Sequence, residues 1–105
     1  MQDKLISRAE CNLEPCYDAR KSFYGKAVVI KECYTDCSVI KLRSYSTIVA
    51  EIKLRYDSIE LFCKAYVYSW YSGTTGRHIK EFLKQYGFHA NNKAQILRDY
   101  GVEEE

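Results

Sequence analysis

The chain reads as an α+β domain: an antiparallel β-meander of about four strands packed against a main helix, with short N- and C-terminal helices. Three observations predict this. From Lys26 onward apolar residues recur at every second position, after Gly73 they recur at helical spacing, and the segments between are short turns rather than crossovers. At 105 residues the chain is expected to form one domain, 1–105, large enough to bury a single core without metals or disulfides.

Residues 2–11 are expected to make a short helix with Leu5, Ile6 and Ala9 on one side, and residues 17–24 a helical turn before Gly25. Together, 1–24 would be a segment able to cover one face of the sheet. The sheet is assigned to 26–68, beginning with a strand over 26–33, a turn at 34–36 and a partner strand over 37–43. In 46–54, Ile48, Ala50, Ile52 and Leu54 alternate with Thr47, Glu51 and Lys53, and Val49 is the one breach. A turn at 55–58 leads to a strand over 59–70, where Cys63, Ala65 and Val67 alternate with Phe62, Lys64, Tyr66 and Tyr68. The main helix is placed at 75–86: Ser and Thr precede it as cap oxygens, and Ile79, Phe82, Leu83 and Tyr86 form one apolar stripe. Gly87 suits the left-handed residue that ends it. Asn91 is expected to cap a last helix at 92–100, with Ala94, Leu97 and Tyr100 facing in and Gly101 stopping it. The tail, 103–105, is three glutamates, expected to be a solvated, disordered end.

Composition excludes several classes. No apolar run approaches the roughly 18 residues of a membrane span, and Met1–Glu10 lacks the apolar stretch of a signal peptide. The expected location is therefore cytoplasmic. Five cysteines, dispersed at 11, 16, 33, 37 and 63, are expected to be reduced thiols. Cys33 and Cys37 are the closest pair, but the second close pair of a structural zinc site is missing and His78 and His89 lie far away. No metal and no cofactor is expected. Gly73-Thr74-Thr75-Gly76 lacks the Lys-Ser/Thr of a phosphate-binding P-loop, though two glycines there would let a backbone or an anion approach the helix start. No cysteine carries a local catalytic signature and no carboxylate pair stands out, so no enzyme is expected.

What the composition favours is recognition. Ten tyrosines are an unusual number: Tyr offers a large apolar face with a hydroxyl at low entropic cost, which suits recognition surfaces, and it also favours strands, so sheet formation is the alternative account. Phe62, Tyr66, Tyr68 and Trp70 would share the second face of the sheet, and Tyr71, Arg77 and His78 follow at the helix entrance. These seven residues are the candidate partner-binding set. A net charge of +2, with Lys/Arg interleaved among Asp/Glu, argues against a strongly basic face. The alternative surface is Arg77, Lys80 and Lys84, spaced along the outer side of the helix, for nucleic-acid phosphates.

Three segments occur in order: residues 20–27 (Arg20-Lys21-Ser22-Phe23-Tyr24-Gly25-Lys26-Ala27), residues 44–50 (Ser44-Tyr45-Ser46-Thr47-Ile48-Val49-Ala50), and the run Tyr71-Ser72, Thr74-Thr75, Arg77-His78-Ile79, Phe82-Leu83, Gln85. Over roughly residues 18–100 the chain resembles a family of small proteins of phages and mobile elements from Firmicutes and gut bacteria, a domain of unknown function. The resemblance implies a setting and no catalytic residues. Small phage proteins without enzyme motifs often act by binding a host protein. The expectation is a non-enzymatic, protein-binding inhibitor of a bacterial defence system, such as a CRISPR effector. It would act in the host cytoplasm, as a homodimer or coated by its partner. A nucleic-acid-binding accessory protein is the alternative.

Overall fold

The computed structural model describes residues 4–55 and 62–102. Five strands follow one another in space as in sequence: β1 (Leu5–Asn12), β2 (Ala27–Tyr34), β3 (Cys37–Ser44), β4 (Thr47–Arg55) and β5 (Phe62–Val67), each antiparallel to its neighbour. Two helices complete the chain, α1 (Gly73–Gln85) and α2 (Lys93–Tyr100). The architecture is α+β, with one strand more than expected. The turn assigned to 55–58 falls mostly, and the first three residues of the strand assigned to 59–70 fall wholly, outside the described residues, as does the acidic tail.

The extra strand replaces the expected N-terminal helix. Residues 5–12 pair with β2, Ala9 opposite Lys31 and Cys11 opposite Val29, and all eight are exposed. A helix this short is marginal in water, and its three apolar residues would have had to supply all its packing. The free edge of β2 satisfies the same backbone groups at once. Nor do residues 17–24 form a helical turn; they run as bends along α1.

Register separates the two faces of the sheet. Ala27, Val29, Ile40, Leu42, Ala50, Ile52, Ala65 and Val67 lie on one face and join Ile79, Phe82, Leu83 and Ile96 in a single core. The predicted stripe of α1 is thus the buried one: Ile79, Phe82 and Leu83 are fully buried and Tyr86 is partly so. Val49 is skipped where Leu42 pairs with Ala50 and Arg43 with Ile48, so the breach of alternation is a β-bulge. The Val49 carbonyl accepts the Tyr68 N–H at 2.8 Å, guiding the chain out of β5.

Ser72 caps α1 by accepting the Thr75 N–H at 3.2 Å, and Gly87 adopts φ 84° after its end. Asn92, not Asn91, caps α2: its Oδ1 accepts the Gln95 N–H at 2.9 Å, and Gln95 Oε1 takes the Asn91 N–H at 2.7 Å. The fully inward residues of α2 are Gln95 and Ile96, and Tyr100 packs partly buried against the core as expected, whereas Ala94 and Leu97 are exposed.

Segment 1–24 does not cover the second face of the sheet among the described residues. Its strand extends the sheet sideways, and 13–24 forms a strap along α1. The second face therefore stays open and carries Arg8, Glu10, Glu32, Lys41, Arg43, Glu51, Lys53, Lys64 and Tyr66 by register. No helix among the described residues is long and apolar enough to cross a membrane.

Candidate binding site

The strap is fastened by one buried carboxylate. Glu81, 1% exposed, accepts the backbone N–H groups of Cys16, Tyr17 and Asp18, each at 2.9 Å, and the Gln85 side-chain amide at 2.6 Å. Gln85 Nε2 also donates to the Glu14 carbonyl at 2.7 Å. Leu13 and Phe23 plug the two ends of the strap into the core. Asp18 in turn accepts the Arg20 N–H at 2.9 Å and pairs with Arg77 at 3.1 Å.

At its far end the strap reverses into β2 through two left-handed residues, Tyr24 at φ 54° and Gly25 at φ 73°. The β3–β4 turn beside it holds Tyr45 at φ 59°. These two tyrosines are the non-glycine residues with positive φ among the described residues, a conformation that costs a side-chain-bearing residue roughly 1–2 kcal/mol. Both rings project into solvent, Tyr24 77% and Tyr45 52% exposed. The turns are tied together: the Tyr45 N–H donates to the Lys26 carbonyl at 2.7 Å, and Lys26 Nζ lies 6.0 Å from the Tyr45 ring centre.

Behind them lies a buried polar knot. Ser44 Oγ is 2.8 Å from His78 Nδ1 and 3.2 Å from Thr75 Oγ1, and Phe23 meets the His78 ring edge-on at 4.7 Å. Ser44 and His78 are each 1% exposed, and burial pushes the His78 pKa below the ordinary histidine value. A serine beside a neutral histidine suggests nucleophilic catalysis. Here both side chains are buried, and the knot satisfies polar groups between β3 and α1.

The three sequence segments that carry the family resemblance thus meet at one corner of the molecule. Their outer surface is a cavity of about 200 Å³ lined among others by Arg20, Tyr24, Lys26, Tyr45, Thr74 and Arg77. No carboxylate lines it, and Arg20 and Lys26 make no ion pair among the described residues. Thr74 belongs to the first turn of α1, which has no acidic residue, so the positive end of the helix dipole adds to the field of the cations. The arrangement suits an anion attached to a flat ring.

Of the seven expected partner-binding residues, only Arg77 and His78 reach this corner, and the His78 side chain is core. Tyr71 is 63% exposed nearby in sequence. Trp70 leaves the sheet face and packs on α1, where a Cβ at Gly76 would overlap its indole; Lys93 Nζ lies 5.6 Å from its ring. Gly76 therefore makes room for Trp70 rather than for an anion. Tyr66 and Tyr68 remain on the open face, stacked at 6.4 Å, with Lys53 and Lys64 about the Tyr66 ring at 5.5 and 5.4 Å. Tyr68 donates to Glu51, and burial, then that bond, holds its pKa well above the usual tyrosine value. The Phe62 side chain lies outside the described residues. The alternative set, Arg77, Lys80 and Lys84, does come together: the three line one small cavity along the strap, with Tyr17 and the carboxylates Asp18 and Glu81 among them.

The open face has its own shallow cavity of about 370 Å³, lined by Glu32, Lys41, Glu51 and Lys53 among others, but much of its charge is internally matched. Lys41 pairs with Glu32 at 2.9 Å, and this bond holds the Glu32 pKa below the carboxylate norm. The five cysteines are free thiols, and no three metal-ligating side chains cluster among the described residues.

Arg20, Tyr24, Lys26 and Tyr45 were within reach of sequence reasoning, since they lie in or beside the segments quoted for the resemblance. Nothing in one dimension brings those segments together. No characterised protein and no solved structure matches the chain. A family model covers residues 11–98, which include the strap, both turns, the buried knot and both helices but for its last two residues, and the chain therefore belongs to the family of unknown function DUF8033.

Proposed function

We propose that this chain is a non-enzymatic module that binds single-stranded nucleic acid at the corner formed by the strap, the β3–β4 turn and the start of α1. The observation that carries the reading is a cavity lined by Arg20 and Lys26, which make no ion pair among the described residues, by Arg77, which Asp18 holds, and by two strained, solvent-facing tyrosines. A base stacks on Tyr45 or Tyr24 while Arg20, Lys26 and the helix start take the flanking phosphates. Such combinations of ring and cation bind single strands with little sequence preference. Positive φ at both tyrosines supports a role for the rings, because strained residues gather where function holds them.

A second reading keeps the protein partner. Tyr66 and Tyr68, stacked on an uncovered face with Lys53 and Lys64 beside them, have the character of interface anchors. An inhibitor of a bacterial defence complex, carried by a phage, would use that face; this setting comes from the resemblance and from no side chain.

The two readings separate in one set of experiments. Labelled oligo(dT) and oligo(U) are titrated with wild type, Lys26→Glu, Tyr45→Ala and Tyr66→Ala. The nucleic-acid reading expects binding that Lys26→Glu abolishes, that Tyr45→Ala weakens by about 1–3 kcal/mol and that Tyr66→Ala leaves alone. No binding to either oligomer would overturn it and return the protein reading to first place.

A further inference from the structure

The outer edge of β1 is an eight-residue run of strand backbone with no partner among the described residues. Its eight residues are exposed on both faces, including Leu5 at 50% and Ile6 at 66%, and no element among the described residues pairs with its outer side. The Leu13 N–H donates to the Ala27 carbonyl at 2.9 Å, and the register runs unbroken from Ser7 to Asn12. Antiparallel ladders alternate, so odd-numbered backbone groups turn toward β2 and those of Arg8, Glu10 and Asn12 turn outward.

The geometry points to a second copy of this chain as the occupant of that edge, paired antiparallel about a two-fold axis at Ala9. The charges choose the register. Centring the axis on Arg8 sets two arginines opposite each other, and centring it on Glu10 sets two glutamates opposite each other; like charges directly opposed are unfavourable. Centred on Ala9, each Arg8 faces the other copy's Glu10 in a hydrogen-bonded pair, and both Ala9 residues meet in a non-hydrogen-bonded one. The two arginines and two glutamates then alternate across the junction, on the open face where Arg8 already contacts Glu10 at 2.9 Å and Glu10 lies 3.7 Å from Arg43. The product is a continuous ten-stranded sheet with both helical layers on one side. Nothing in this depends on what the corner binds.

The test is sedimentation of the full chain from about 1 to about 100 µM, where a weak interface declares itself. Wild type is expected to shift from monomer to dimer across that range. Glu10→Pro removes an outward N–H that β2 does not use and is expected to stay monomeric with its melting temperature little changed. Ala9→Cys in a Cys11→Ser background is expected to form a covalent dimer on oxidation, because residues opposed in such a pair fall within disulfide reach of about 4.4–6.8 Å between Cα atoms. The Cys11→Ser parent is the control and is expected to remain uncrosslinked. A monomer throughout, a dimer that Glu10→Pro leaves intact, or a dimer in which Ala9→Cys fails to crosslink would each overturn the inference. A monomer would mean that the charges on β1 guard the edge instead.

Discussion

Replacing Glu81 by Ala should detach the strap from α1. Three backbone N–H groups, on Cys16, Tyr17 and Asp18, lose a carboxylate acceptor at 2.9 Å, and Gln85 loses its partner at 2.6 Å. Hydrogen bonds to a charged group contribute about 1.5–3 kcal/mol each, so the three strap bonds represent roughly 5 kcal/mol at the low end. Cys16 and Tyr17 are exposed, so their amides regain water once released, and about 3 kcal/mol should remain as net loss. For a domain of this size that is a fall in melting temperature of about 12–20 °C. Glu81→Gln keeps the volume but turns an amide donor toward the strap's donors, and should lose nearly as much; this separates charge from packing. Urea denaturation gives the free energy, and amide exchange at residues 16–18 shows whether the strap is what opens. A loss below about 1 kcal/mol with those amides still protected would refute the idea that Glu81 fastens the strap.

Other consequences follow from the same structure. Phe82→Ala should cost about 3–5 kcal/mol and Leu83→Ala about 2–5 kcal/mol in chemical denaturation, since both side chains are fully buried. Gly76→Ala should cost about 1–3 kcal/mol and change Trp70 fluorescence, because the new methyl overlaps the indole. Tyr45→Gly should leave stability within about 1 kcal/mol of wild type, as relief of left-handed strain offsets the lost ring contacts, yet should impair binding at the corner. For His78 the folded state disfavours the proton that the unfolded chain accepts at the ordinary pKa of about 6.5, so stability should fall as pH drops below that value and level off below the lowered folded pKa. His78→Asn should flatten that part of the pH profile whatever it does to stability at neutral pH.

Period-two alternation in 26–54 and the stripe of Ile79, Phe82 and Leu83 were legible because each buries one face, and even the misfit Val49 marked a real bulge. β1 was not legible because it buries neither face, so it carries no period and its Leu5/Ile6/Ala9 spacing imitated a helix. Interleaved charge along the chain became matched charge in space, with Glu10, Glu32 and Glu51 on the same face as the cations. Lys41, Arg43, Lys53 and Lys64 are separated by other residue types along the chain, yet a strand sends alternate residues to one side and gathers them. The role of Glu81 was not legible, because the three amides that surround it lie 63–65 residues away in sequence. Trp70 read as a surface anchor because nothing in sequence tells that Gly76 will lie beneath it. The segments at 20–27, 44–50 and 71–85 were recognised as distinctive, but that they build one corner is a property of the β2–β3 register, which puts Ala27 opposite Ser44, and of Ser44 reaching His78.

The measurement that tests the central claim most directly is the salt dependence of oligonucleotide binding, for wild type and for Arg20→Ala and Lys26→Ala. If Arg20 and Lys26 each hold a phosphate, the logarithm of affinity should fall with the logarithm of salt at a slope of about −1.4, and each alanine should reduce the magnitude of that slope by about 0.7. Binding that ignores salt, or a slope that neither alanine changes, would contradict a phosphate-holding corner.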